Sequence, residues 1–177
     1  MKLRFETING RAYFVDSSKY VLNLRLCVSQ FQFKWKKFFH LWMPDDLWYE
    51  EFPVKPYKDS RLRADLFNLT RRFVVECNGD QHVKVSNYFH GGDQSVFYEH
   101  LSRDRLKELW CEHNKIKHIS VYTTTKFDRD YFVNKYPTLE KPIALFKGGT
   151  GNDFYWKLFG ERSRQAHLDA VLAGHLE

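Results

Sequence analysis

The sequence predicts an α/β fold: a mixed sheet flanked by helices, with an N-terminal hairpin before it and a C-terminal extension after it. Helix-period and strand-period apolar patterns follow one another in the order helix, strand, strand, strand, helix, strand. At 177 residues the chain is long enough for one full-sized core. Hydrophobic residues make up 43% and charged residues 28%, the balance of a folded protein rather than a disordered one. Aromatic side chains reach 18%, so large rings should dominate the core.

Residues 2–15 read as a hairpin, with Asn9 and Gly10 as a two-residue turn between strand-like runs. In "SQFQFKWKKFFHLW", Phe31, Trp35, Phe38, Phe39 and Trp42 recur at helical spacing and form an apolar face, read as core rather than a stacking platform. Ser29 is the expected N-cap, and Gln32, three residues on, completes a capping box. Pro44, Asp45 and Asp46 end that helix. Strands follow over Leu47–Val54, Arg61–Phe67 and Arg72–Cys77, the last two joined by a turn at residues 68–71. A loop over 83–96 contains Gly91 and Gly92 and leads into a helix over 97–114. That helix turns Tyr98, Leu101, Leu106, Leu109 and Trp110 to the core, and a strand "KHISVY" comes next.

Beyond Tyr122 the pattern is thinner. "FDRDYFVNKYP" reads as a short helix that stops before Pro137, and Glu161 to Glu177 as a polar terminal helix. The glycine-rich "FKGGTGNDFYW" lacks the ending and spacing of a phosphate-binding P-loop and reads as a turn. The expected division is a hairpin extension over 1–28, a core over 29–125 and an extension over 126–177.

The formal net charge of +6 and a sequence pI near 9.2 favour an anionic partner, with nucleic acid first; a mildly basic soluble protein is the plainer alternative. Three separated cysteines without a CxxC pair argue against a disulfide framework or a cysteine-rich zinc site. The N-terminus has no signal-peptide pattern, and no window approaches the ~20 apolar residues of a membrane span. A cytoplasmic location, without membrane association or a small-molecule cofactor, is therefore expected.

The chemistry concentrates in "FVVECNGDQH", where an apolar strand runs directly into Glu76, Asn78, Asp80 and His82. With a turn at 68–71, Asp65 would pair with Val74, and Asp65 and Glu76 would be diagonal neighbours on one face. Such neighbours lie about 7–8 Å apart, within reach of one shared ion. A turn one residue longer would separate them. Two carboxylates at strand ends suit Mg²⁺, with Mn²⁺ as substitute, and the Cys77 carbonyl can add a third oxygen. His82 is a candidate general base. Two unrelated surface acids and a solvated histidine are the competing interpretation.

Asp65, ten intervening residues, then "ECN" resembles the PD-(D/E)XK nuclease superfamily. The fuller run, "ECNGDQH", a loop, then "RDRLKELWCEHNKIKHISVY", resembles the branch of very-short-patch repair endonucleases and phage homing endonucleases of the EDxHD type. The resemblance spans roughly Ser29 to Tyr122. It implies a restriction-endonuclease-like fold and metal-dependent cleavage of DNA. It places Asp65 and Glu76 at metal-ligand positions, His82 at the catalytic histidine and Asp104 at a later acidic position. The family's lysine position falls on Asn78, which carries no charge. Lys107 admits two roles, a migrated catalytic lysine or a surface partner of Asp104 at i,i+3. Gln32 stands near the position of a first-helix glutamate, and Glu50 or Glu51 is expected to face the site.

For DNA binding, Arg61, Arg63, Arg71, Arg72 and Lys84 are the candidate phosphate contacts, with Lys34, Lys36 and Lys37 on the polar side of the first helix. Tyr88 or Phe89 serves either as a wedge into DNA or as a loop anchor. The expected activity is a phage- or mobile-element-like DNA endonuclease. A single site would nick, and a homodimer would be needed for concerted cutting of both strands. A non-catalytic nucleic-acid-binding protein on a degenerate nuclease fold is the alternative, and an RNA-directed nuclease is a third.

Overall fold

The computed structural model describes residues 1–24, 29–79 and 94–140. The chain opens with a hairpin of β1 (Lys2–Glu6) and β2 (Ala12–Asp16), paired from Lys2↔Asp16 to Glu6↔Ala12. This register corrects the expected two-residue turn: residues 7–11 form a longer loop. The cause is Thr7. Its backbone carbonyl accepts from Gly10 N at 2.9 Å, and its hydroxyl accepts from Arg11 N at 3.0 Å, so the side chain draws the backbone out of the ladder. Gly10 takes a left-handed φ of 82° to close the loop.

Helix α1 (Gln30–Trp42) starts at Ser29, whose hydroxyl accepts from Gln32 N at 3.1 Å. The return half of the capping box is not the Gln32 side chain's role; that amide points to Asp65. The aromatic face is core, as expected: Trp35 and Phe39 are fully buried among Phe73, Trp48 and Phe132. Lys36 departs from expectation. It is buried in an ion pair with Glu50 at 2.8 Å and does not face solvent with Lys34 and Lys37.

Four strands form the mixed sheet, in the order β3 (Trp48–Val54), β4 (Leu62–Asn68), β5 (Phe73–Asn78), β6 (Lys117–Tyr122). The first three are antiparallel neighbours, and β5 pairs with β6 in parallel. A parallel pair needs a crossover, and α2 (Gln94–His113) lies on it, beginning three residues before the expected start. Strand β5 is buried along its whole length because both faces are covered. Phe73, Val75, Ile119 and Val121 pack toward α1, whereas Val74 and Phe67 pack with Trp110 of α2 and with Leu3 and Phe5 of the hairpin. The N-terminal hairpin is therefore part of the core. A short helix, α3 (Arg129–Lys135), is capped by Asp128, ends before Pro137 and buries Phe132 against α1.

The β4–β5 register is Leu66↔Val75, Phe67↔Val74, Asn68↔Phe73, two residues away from the expected pairing. Asn68 moves the turn to residues 69–72: its Oδ1 accepts from Arg71 N at 2.7 Å, and Arg72 takes a left-handed φ of 53°. A slip of two preserves which side chains share a face.

Arg72 is buried, and its guanidinium donates to the carbonyl of Asn114 at 2.5 Å and of Lys115 at 3.4 Å, at the end of α2. Asn114 in turn binds both backbone groups of Glu6. Replacing Arg72 with Ala should destabilise the protein by about 2–3 kcal/mol, the value of charge-assisted bonds to buried carbonyls. Urea denaturation checks this, with a fall in the unfolding midpoint as the expected outcome.

Candidate active site

The site lies where β4 and β5 part. After Leu66↔Val75 the next residues in register are Asp65 and Glu76, and there the ladder stops. The Asp65 carboxylate stands in for a backbone acceptor, its Oδ2 accepting from Cys77 N at 2.7 Å. Its Oδ1 accepts from Gln32 Nε2 at 3.1 Å, so α1 and β5 both position it. On the other side of Asp65, Glu51 falls in register opposite it, between the pairs Glu50↔Leu66 and Phe52↔Ala64. Glu51 has a φ of 47°, a conformation an L side chain adopts only under constraint. Strand alternation breaks at the same level: Ala64 and Phe67, three apart, share one core cluster, as do Tyr49 and Phe52. The sheet is open around Asp65.

Glu76 is 3% exposed. Its Oε2 accepts from Lys107 Nζ at 2.6 Å, whereas its Oε1 is buried with no hydrogen-bond partner among the described residues. Burial pushes its pKa up to about 8, against the pull of the Lys107 ammonium and with the added push of the Asp65 and Asp104 charges. Burial works against the Lys107 ammonium too, but the Glu76 carboxylate, aided by Asp65 and Asp104, raises its pKa overall. Lys107 is thus the partner of Glu76, and its charge arrives from α2 rather than from position 78, where Asn78 is buried on β5. Asp104 stands one helical turn before Lys107.

These residues fit a hard cation. Glu76 Oε1 has no hydrogen-bond partner among the described residues, and the Asp65 charge acts on the same carboxyl. Asp65 is acceptor-only when ionised, so Gln32 must turn its NH₂ to it, which leaves Gln32 Oε1 buried and without a partner. In a strand the N–H and C=O of one residue project to the same edge, so the Cys77 carbonyl opens toward the gap that its N–H bridges. The donor set is all oxygen, as Mg²⁺ requires. Among the described residues no three His, Cys, Asp or Glu side chains converge as a ready metal cluster, so the backbone and amide oxygens would complete the set.

Asp65, Glu76, Asp104 and Lys107 are brought together, with the Cys77 backbone between them; His82 and Lys84 lie outside the described residues, as do Tyr88 and Phe89. Arg61 and Arg63 are exposed at the same end of the sheet. Arg71 and Arg72 are corrections. They occupy the hairpin tip, four residues along β5 from Glu76, about 13 Å away. Arg71 is engaged with Asp46 at 2.6 Å and with the Leu139 carbonyl at 2.6 Å, and Arg72 is buried, so neither presents charge to a phosphate. Of the two strand acids, Glu50 pairs with Lys36, and Glu51 is the one whose carboxyl Asp65 influences: burial first, then the Asp65 charge, raises its pKa. Sequence reasoning missed His118. It lies under α2, near Lys107 and Asp104, with Nε2 buried and unpartnered among the described residues and its pKa lowered chiefly by burial. The signal was present: His118 and Ser120 are the polar positions of an alternating strand.

A carboxyl with a raised folded pKa holds its proton more tightly when folded. Its stabilising contribution is complete below the ordinary value of 4.5 and lost as pH rises through about 8. The melting temperature of the metal-free protein should therefore fall between those pH values, and Glu76→Gln should flatten the decline. Equal slopes for the two proteins in calorimetry would contradict this.

No protein-family model and no solved structure matches the chain. It is 33% identical over 75 residues to "Uncharacterized protein 033L" of Invertebrate iridescent virus 3, a match covering 42% of this chain and 38% of the relative. It is 33% identical over 85 residues to "Uncharacterized protein 307L" of Invertebrate iridescent virus 6, covering 47% and 43%. The chain thus spans less than half the length of these curated relatives, and its similarity to them is confined to that part.

Proposed function

We propose that the protein is a metal-dependent DNA endonuclease on a restriction-endonuclease-like fold. The observation that carries this reading is the buried Oε1 of Glu76, unpartnered among the described residues, on a carboxyl whose Oε2 is held by the Lys107 ammonium and on which the Asp65 charge acts. A fully buried carboxylate with one empty oxygen is costly in a purely structural role and suited to a cation. Asp65 and Glu76, with the Cys77 carbonyl, would hold Mg²⁺ or Mn²⁺. Such a cation, when bound, polarises a phosphodiester and eases ionisation of the attacking water. Gln32 fixes the rotamer of Asp65, and Lys107 offers a positive charge to the phosphate as negative charge develops on it. Asp104 helps to keep that ammonium protonated. His82 is assigned to proton transfer on the family resemblance. The viral source of the two relatives is in keeping with a phage- or mobile-element-like enzyme.

The second reading, a non-catalytic nucleic-acid-binding protein, is favoured by Asn78 in place of the family lysine and by Gln32 in place of an acid. Supercoiled plasmid separates the two. Wild-type protein with Mg²⁺ or Mn²⁺ should nick or linearise it, chelator should stop the reaction, and Asp65→Asn and Glu76→Gln should abolish it. Metal-independent retention of plasmid with no cleavage would establish the binding protein instead; a parallel RNA substrate tests the third alternative.

Lys107 gives a sharper test. Lys107→Met keeps the stem and removes the charge, and should lower the cleavage rate by about 100-fold or more. If the role is structural only, the rate at saturating metal will match wild type once the folded fraction is corrected for.

A further inference from the structure

Beside the candidate active site, the loop between β3 and β4 encloses a groove of about 370 Å³ lined by Lys55, Lys58, Ser60, Arg61 and Arg63, with Asp59 the single acid. Lys58, Arg61 and Arg63 are exposed, and among the described residues none of the four cations is ion-paired. Lys55 instead lies 5.7 Å from the Tyr13 ring centroid. The loop is firmly built. Ser60 closes it on Tyr57, donating N–H to the Tyr57 carbonyl at 3.1 Å and accepting from Tyr57 N at 3.2 Å. The N-terminal hairpin anchors it from outside: Ile8 N donates to the Pro56 carbonyl at 2.8 Å, and Lys55 N donates to the Tyr13 hydroxyl at 3.2 Å.

Exposed cations on a held loop, none ion-paired among the described residues although the Glu51 charge acts on Arg63, suit an anion, and their position says which. Arg63 is two residues before Asp65 on β4, about 7 Å along the strand. Of the residues that line the groove, Arg63 stands nearest Asp65 along β4, and Lys58 lies in the loop before Arg61. We propose that this groove seats the phosphodiester backbone of the nucleic-acid strand flanking the scissile phosphate, with Lys55, Lys58, Arg61 and Arg63 as its phosphate contacts. The proposal rests on the nuclease reading for its ligand class and gives the N-terminal hairpin a function, that of buttressing the groove.

The full-length Glu76→Gln protein provides a non-cleaving background for measuring affinity for a duplex DNA oligonucleotide across a salt series. Adding Arg61→Gln and Arg63→Gln should weaken binding roughly 10-fold and reduce the slope of log K against log salt by about 2. Arg61→Lys with Arg63→Lys should retain most of the slope. Lys115→Gln with Lys117→Gln, the same loss of charge at the far end of the sheet, should leave the slope within about half a unit. Equal losses from both Gln pairs would mean nonspecific charge attraction and overturn the groove, as would failure of the background protein to bind DNA. The two proposals fail separately: a wild-type protein that cuts no plasmid but shows the groove-dependent slope loses the nuclease reading and keeps the groove.

Discussion

The buried pair of Glu76 and Lys107 is the interaction on which this architecture depends. Glu76 sits inside the sheet because β5 is covered on both faces, and its only direct ionic partner among the described residues reaches in from α2. Burying two charges is costly, and the cost is offset only when every lone pair finds a partner. Here, among the described residues, one oxygen does not. A core built for stability alone would place an apolar residue of similar volume at this point. Retaining the carboxylate with an empty oxygen is intelligible as provision for a ligand that arrives later.

Asp65 shows the same logic from the other strand. Its carboxylate replaces the backbone acceptor that Cys77 N would have had if β4 had continued alongside β5. The gap is thus stabilised by the half-buried carboxylate that lines it. The left-handed backbone of Glu51 and the broken alternation on both flanking strands accompany that opening. Strain of this kind persists where the surroundings fix it, and here the fully buried Phe52 and Phe67 on either side do so.

Much of this was legible in the sequence. The order of elements, the aromatic face of α1 and the convergence of Asp65 and Glu76 follow from hydrophobic period and strand alternation, which are local properties. The convergence tolerated a register error of two because side-chain facing repeats with that period. Less legible were features set by side chain–backbone competition. Thr7 lengthened the first turn and Asn68 displaced the second, and neither effect has a periodic signature. The dual promise of Gln32 could not be resolved either, since a capping box and a carboxylate partner use the same residue at the same position. Arg71 and Arg72 looked like a solvated basic tip. Only the tertiary fold reveals the carbonyls that take up their charge.

Lys107 comes from a helix, thirty-one residues beyond Glu76, and not from the strand itself. The parallel pairing of β5 with β6 encloses that helix within a crossover, so the cation and the carboxylate meet only when a long loop closes. A chain emerging from the ribosome through Asn78 already carries both carboxylates, yet Glu76 remains without its Lys107 partner until residues up to Tyr122 have docked. The buried ion pair would then form late and abruptly, in the step that completes the sheet.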